Sequence, residues 1–481
     1  MSEVSAHTTH PSMPSPTPPA SPALPLETRL AYSGSAFAEN LAYNSIVQLA
    51  NPIFNLVLGV SPVLIGLALA LPRLWDAFVD PWVGAKSDAL RSRWGRRRPF
   101  IAVGAVITGL VAAGIWFFPT GQTPLFYFGW LLGGSLLMAT AYSIFVVPYG
   151  ALGLELAPGY HERTRLMAIK SAFHKSSGVV NQWLVKLVQL AAFGGILAGT
   201  RFCGVVIGCV VIALGLWTAL RVPERHAFTA APPARRLSWS QSWKQTLSQR
   251  DFARLVFAQV CIYASVLIVD NVGFYLNVFY VNDGNLQYGA LIKGAAGTAF
   301  QVGGLASIPL IAWLARRIGK KQAFLWCTLS IALGGVAKWF CYVPGAGWWL
   351  VLPSLLLAPG LVAVMVLVPS MTADVCDVDE VTSGARREGI FNAVAGWLLK
   401  LSMSGAFFVA GVLLSASGWE TSRAAAQTPE TFMAMRVMFS VGTVALALAA
   451  AYLIRGYGIT EATVADARAK VARVKERTSG V

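Results

Sequence analysis

Apolar runs of about 20 residues, each long enough to cross a bilayer, recur along the chain between short polar turns. They predict spanning helices near 29–57, 62–87, 99–119, 124–154, 169–193 and 197–220, and again near 253–281, 287–315, 323–343, 347–373, 389–415 and 432–456. The longest polar interruption, 221–252, divides the twelve into six and six. The expected architecture is an all-α membrane protein: a tail over 1–28, a six-helix bundle over 29–220, a cytoplasmic linker over 221–252, a second bundle over 253–456 and a tail over 457–481. Residues 1–25 are rich in Pro, Ser and Thr, with no basic start and no apolar core, the composition of a disordered cytoplasmic segment and not of a cleaved signal. Insertion is then expected to rely on the first spanning helix. Thr460 to Arg477 reads as an amphipathic basic helix lying on the inner membrane surface. The halves echo each other: Gly84, Asp88 and Gly95-Arg96-Arg97 close the second helix, and Ala315-Arg316-Arg317-Ile318-Gly319-Lys320-Lys321 closes the eighth. Such a repeat suggests two bundles rocking about a central cavity.

Composition agrees with the pattern. Of 481 residues, 56% are hydrophobic and 12% charged, about half the charge of a soluble domain. The formal charge of +16 does not call for nucleic acid, because the basic residues sit in short loops. Lys86 to Arg98 holds six Lys/Arg, and the segments around His161–Arg165, 221–254 and Arg316–Lys321 are also basic, whereas the turns at 57–62, 119–124 and 343–347 carry no charge. That alternation puts both termini and the basic loops in the cytoplasm. The six cysteines show no paired spacing and read as small packing residues.

Charge inside the apolar runs carries the candidate chemistry. Asp76 and Asp80 lie in the second helix, four residues apart, so they share one face at roughly 6 Å. Intramembrane acids are costly and usually handle an ion or a substrate, and this pair can share a proton or a small cation; the bland reading is a structural ion pair with Arg73 or Lys400. Lys400 sits roughly 16 Å along its helix, too deep to snorkel easily, and needs Asp76 or Asp80 as partner. Asn40, Asn44 and Gln48 form a stripe on the first helix beside Glu39 and Tyr43, for which substrate contact and interhelical hydrogen bonding are both open. Asp270 and Asn271, beside Gly273, Tyr275 and Asn277, are pocket candidates or structural groups. The Arg91–Arg98 cluster, with Arg96 and Arg97, reads as a topology anchor and conformational latch with Asp88. Trp75 and Trp183 could stack on a sugar ring, though packing explains each of them better. No nucleophile–base pair or metal-ligand cluster appears at a workable spacing, so an enzyme is not expected.

Three blocks, in order, resemble one family. Arg73-x-x-Asp76-x-x-x-Asp80-Pro-x-x-Gly with Arg93-Trp-Gly-Arg-Arg-Arg-Pro is the first. Pro148-Tyr-Gly-Ala-Leu-x-x-Glu155-Leu with Glu162-Arg-Thr-Arg165 is the second, and Thr372-Ala-Asp374-Val-Cys-Asp377 with Arg386-Arg-Glu388-Gly and Lys400 is the third. They resemble the glycoside–pentoside–hexuronide:cation symporters of the major facilitator superfamily, over residues 29 to about 456. The resemblance implies that Asp76 and Asp80 ligate a coupling cation, with Na⁺ possible there, assisted by Ser143, and that Lys400 links the cation and sugar sites. It also keeps a family aromatic at Tyr142 and brings Lys170 within one residue of a sugar-contacting position; Tyr43 and Arg73 are further candidate substrate contacts. Opposed charges and the family pattern make Asp374, Asp377, Arg386 and Glu388 a counterpart gate across the cytoplasmic face.

The departures shape what is expected. The position that supplies an amide ligand to Na⁺ in the family is Val79 here, which favours H⁺. Sugar-gripping acids of the family correspond to Asn40 and Val146, and an aromatic platform to Met365, so α-galactoside specificity does not carry over. The expectation is a cation-coupled symporter of a glycoside, with a di- or oligosaccharide as its small-molecule substrate. It is expected to be a monomer in the bacterial inner membrane, with H⁺ or Na⁺ as coupling ion, no cofactor and no nucleic-acid partner. Two rivals remain: a lysolipid or amphiphile carrier on the same fold, marked by an apolar pocket open to lipid, and a nontransporting sugar sensor.

Overall fold

A computed structural model describes residues 24–156, 160–224, 246–383, 387–420 and 427–479. The first half holds α1 (Leu26–Ala50), α2 (Pro62–Ala89), α3 (Arg98–Gly114), α4 (Pro124–Leu156), α5 (Tyr160–Leu187) and α6 (Ile196–Arg221). The second holds α7 (Arg250–Tyr275), α8 (Leu286–Ile318), α9 (Lys320–Cys341), α10 (Val351–Ser383), α11 (Glu388–Ala416) and α12 (Pro429–Arg455), followed by α13 (Glu461–Ser479). Among the described residues nine helices are long and apolar enough to cross a membrane; α1, α3 and α5 are shorter or more polar.

Helix length departs from hydropathy in two places. α5 begins at Tyr160, nine residues before the predicted span at 169, and α10 runs to Ser383, ten beyond the predicted end at 373. Both extensions are polar helical turns continuing out of the apolar zone, and no proline stands in either to stop them. The linker beyond Glu224 and the N-terminal tail lie outside the described residues. α13 turns Val464 and Ala467 inward and packs on α10, and Tyr457 just before it donates to the Met371 carbonyl at 3.2 Å.

Within each half, neighbouring helices pack through small residues. Gly104 of α3 lies against the α4 backbone at Phe145, and Gly208 of α6 against the Gly109 carbonyl of α3. The halves meet through two equivalent pairings, α2 with α11 and α5 with α8: the second helix of each half lies on the fifth of the other. At the end of the bundle with uncharged turns, α2 and α11 approach backbone to backbone. A Cβ on Gly66 would stand 2.6 Å from the Phe407 carbonyl oxygen, and one on Gly411 2.4 Å from that of Pro62.

The first helix of each half closes in the same unusual way. α1 runs on into a π-helical segment, Asn51–Val57, and α7 into another, Leu276–Val281. Side chains of these two ends bond across the halves: Asn51 donates to Asn271 Oδ1 at 2.8 Å, and the Tyr275 hydroxyl donates to Asn55 Oδ1 at 2.8 Å. Together with the glycine contacts, these bonds seal the uncharged end.

Candidate functional site

α2 places the acids. Pro72 and Pro81 bracket them inside the helix, each removing one backbone donor and easing a bend, so Asp76 and Asp80 sit on a segment less constrained than a regular helix. The two carboxylates share a helix face, yet they have different partners. Asp80 accepts from Ser143 Oγ of α4 at 2.6 Å and forms an ion pair with Lys400 of α11, which bridges the two halves. Asp76 is buried and lies 3.8 Å from an Arg73 nitrogen. Its other oxygen, and Arg73 Nε, are buried with no hydrogen-bond partner.

Arg73 ties this cluster to its surroundings. Its guanidinium stands 3.5 Å from the centroid of the Tyr43 ring, a cation–π contact, and Tyr43 in turn lies 5.7 Å from Tyr142. Arg73 also lines a cavity of about 290 Å³ between the halves, at the lower end of the range for small-molecule sites. Asp76, Asp80, Ser143 and Lys400 do not line it; Arg73 touches both the cavity and Asp76.

The stripe on α1 divides. Asn44, Gln48 and Asn51 line the cavity. Asn40 turns to α5 instead, donating to the His174 carbonyl at 2.9 Å and to Ser177 Oγ at 2.7 Å, while Asn181 donates back to its carbonyl at 3.0 Å. That is interhelical hydrogen bonding. Glu39 is buried beside it. Lys170 lies 4.8 Å from the Tyr149 ring centroid and does not line the cavity. Asn271 lines the cavity; the side chain of Asp270 lies outside the described ones. Val79 and Val146 are packing residues, and Met365 is half exposed. Trp75 donates to Thr140 Oγ1 at 3.0 Å and Trp183 to Thr298 Oγ1 at 2.9 Å, the second bond joining α5 to α8.

At the basic end, several of the charges predicted to latch across the face pair within their own half. Arg97 bonds Asp88 at 3.1 Å and Glu155 at 2.8 Å, and Arg96 reaches Glu155 at 2.5 Å and Glu224 at 3.5 Å. In the other half Asp374 pairs with Lys320 at 2.6 Å, and Asp379 with Arg387 at 2.6 Å, with Asp377 buried nearby on α10. These pairs lie within one half each among the described residues; Arg386 and the Glu388 side chain lie outside them. The partners that motif reading did not assign are Glu224, Lys320, Asp379 and Arg387. Each stands within a helical turn or two of an expected residue or closes a basic loop, so opposite charge at short spacing was the available signal.

Two further residues were not anticipated. Lys293 of α8 and Lys338 of α9 line the cavity. Lys338 is buried, donates to Thr443 Oγ1 at 3.1 Å and stands 4.4 Å from the Phe439 ring centroid. Lys293 stands 5.0 Å from that of Phe274. None of the six cysteines forms a disulfide among the described residues.

Comparison with known proteins follows the same lines. A family model described as MFS/sugar transport protein matches residues 32–461. The glucuronide carrier protein homolog of Escherichia coli K12 is 24% identical over 446 residues, covering 90% of this chain and 93% of that one. The isoprimeverose transporter of Lactiplantibacillus pentosus is 24% identical over 432 residues, covering 86% of each. A crystal structure of a bacterial homologue of the human lysosomal transporter Spinster superposes with a TM-score of 0.61 at 16% identity, over 93% of this chain and 97% of that one. That likeness is one of fold: an all-α, multi-pass membrane protein of the major facilitator type.

Proposed function

Since the chain belongs to the MFS/sugar transport protein family, and within it to the glycoside–pentoside–hexuronide:cation symporters, we propose that it carries a glycoside into the bacterial cytoplasm by cation-coupled alternating access. The observation that carries this reading is the ion pair between Asp80 and Lys400. It joins α2 to α11, the more extensive of the two equivalent helix pairings between the halves, so the charge state of one carboxylate acts on the contact that must slide. The relatives named as a glucuronide carrier homolog and an isoprimeverose transporter support a sugar as cargo.

In this mechanism Lys400 neutralises Asp80 in the ion-free carrier. A proton on Asp80 replaces that partner, frees the ammonium and loosens α2 from α11. Asp76, with a buried oxygen that no donor meets, offers a second place for the proton, since an unpaired buried acceptor is costly until it is filled. Arg73 conveys the change to the cavity. Coupling follows if empty and doubly loaded carriers convert readily while singly loaded ones do not, a matter of differential binding to the two states. Val79 beside Asp80 offers no oxygen, which favours H⁺ over Na⁺ as the coupling ion. We place the basic end and both chain termini in the cytoplasm on loop charge.

An amphiphile carrier would need an apolar pocket. Most of this one's lining is apolar, with Phe274, Phe300, Phe407 and Phe439 in it, and the amides of Asn44, Gln48, Gln182 and Gln301 set among them give a hydroxyl-bearing cargo its polar partners. The test is reconstitution into vesicles with a glycoside panel, measuring glycoside-dependent alkalinisation and Na⁺-dependent uptake. Alkalinisation by at least one glycoside is expected; uptake that neither ion gradient drives overturns the coupled mechanism.

A further inference from the structure

α5 carries Gly178-x-x-x-Gln182, and α8 carries Gly297-x-x-x-Gln301. Lys175 meets Gln301, Trp183 meets Thr298 and Lys186 meets the Gln287 carbonyl, so the two helices run antiparallel and the pattern meets itself head to tail. Each glutamine lies over the glycine of the other helix. A Cβ on Gly178 would stand 2.6 Å from Gln301 Nε2, and one on Gly297 would overlap the side chain of Gln182. Small residues let membrane helices approach closely; here the space they leave is taken by an amide from the opposite half.

Both glutamines also line the cavity. Gln182 makes no hydrogen bond among the described residues, so its donors and its acceptor are left for a ligand. Gln301 is held: Lys175 donates to its Oε1 at 3.1 Å. An ammonium only donates, so the oxygen of this amide is committed to α5 and its NH2 is what remains for cargo. No carboxylate pairs with Lys175 among the described residues. Where α2–α11 joins a lysine to a carboxylate, α5–α8 joins a lysine to a cavity amide.

We propose that Gln182 and Gln301 bind cargo and also fasten the halves together, and that Lys175 is a positioning residue that leaves the Gln301 NH2 facing the cargo. This rests on the transport reading above and gives its two interhalf pairings separate duties: α2–α11 responds to the ion, α5–α8 to the cargo. A cargo hydroxyl oxygen accepts from Gln301, and a second hydroxyl bonds Gln182 in either sense. An amide that turns to cargo leaves the glycine it covered, so binding loosens the contact across the halves. A ligand shifts a two-state equilibrium only through such a difference in binding.

The test uses full-length protein in proteoliposomes, in a background lacking the native cysteines, with spin labels on cysteines at the exposed positions Ala168 of α5 and Arg317 of α8. It is titrated with sucrose, methyl β-glucoside and methyl β-xyloside, and uptake of each by unlabelled native protein is measured in parallel. At least one probe is expected to be taken up and to shift the label-to-label distances. For that probe Gln182→Ala and Gln301→Ala should each raise the half-saturating concentration about tenfold. Lys175→Met should raise it about fivefold, and Lys175→Arg should restore most of the loss. Gly178→Ala and Gly297→Ala keep both amides but displace them from their seats, so without any probe their distances should already resemble those of the probe-bound native protein. Uptake with no distance change, or alanine replacements of the glutamines that keep native half-saturation, overturns the cargo contact while leaving transport intact. If a glutamine variant does not fold, the glycine variants decide, and native probe-free distances in both overturn the proposal. Uptake of none of the three probes, nor of any glycoside in the wider panel, overturns the transport reading and this contact with it.

Discussion

Replacing Asp80 by Asn keeps the size of the side chain and the acceptor for Ser143 Oγ, now 2.6 Å away, while removing the charge that Lys400 needs. Breaking a fully buried ion pair costs about 3–5 kcal/mol, and an exposed one about 0–1 kcal/mol. With the Asp80 side chain 29% and the Lys400 side chain 34% exposed, the loss here should be about 2 kcal/mol. Removing the second charge as well, in Asp80→Asn with Lys400→Gln, should recover most of that, because no lone ammonium remains. The functional effect should be sharper. An imposed gradient of about one pH unit is worth about 1.4 kcal/mol per proton, or about tenfold accumulation. Vesicles with the native protein should reach that ratio. Asp80→Asn vesicles should equilibrate cargo and go no further, while still exchanging labelled for unlabelled cargo. Tenfold accumulation by Asp80→Asn would refute the coupling role. A double variant no more stable than the two single losses added together would refute the ion-pair reasoning.

Val79→Asn supplies an amide oxygen next to Asp80, and uptake should become more dependent on Na⁺; unchanged ion preference in vesicles would remove the reason for favouring protons. Gly66→Val should force α2 from the Phe407 carbonyl, since a Cβ there stands only 2.6 Å from it. Overpacking of this kind costs about 1–3 kcal/mol, so a cysteine placed at Asn51 should react at least fivefold faster with an impermeant maleimide added outside.

Hydropathy located the helices because a spanning segment must be apolar whatever it packs against. It missed the start of α5 and the end of α10, because hydropathy reports where the membrane is and a helix can continue beyond it. That Lys400 pairs with one of the two α2 acids was legible because each charge is expensive alone, but that Asp80 is the one, and Asp76 keeps a separate partner, was not. Spacing puts both on one face and says nothing of which helix faces each. Lys338 could have been found by the rule that found Lys400, since it lies between Ala337 and Trp339 in an apolar run. Its position near a helix end made it look like a flanking residue. The cavity itself is a product of which faces meet across the halves, and no local pattern carries that.

The π-helical endings of α1 and α7 bear on how the sealed end yields. A turn wound with one residue too many offsets the helix beyond it by about 100°, and moving the extra residue one position turns the side chain it passes by that angle. Asn51 and Tyr275 sit at the seams where such a slip begins. Unlatching can therefore start as a local screw motion in two short segments, leaving the long helix shafts and their glycine contacts to follow as rigid levers.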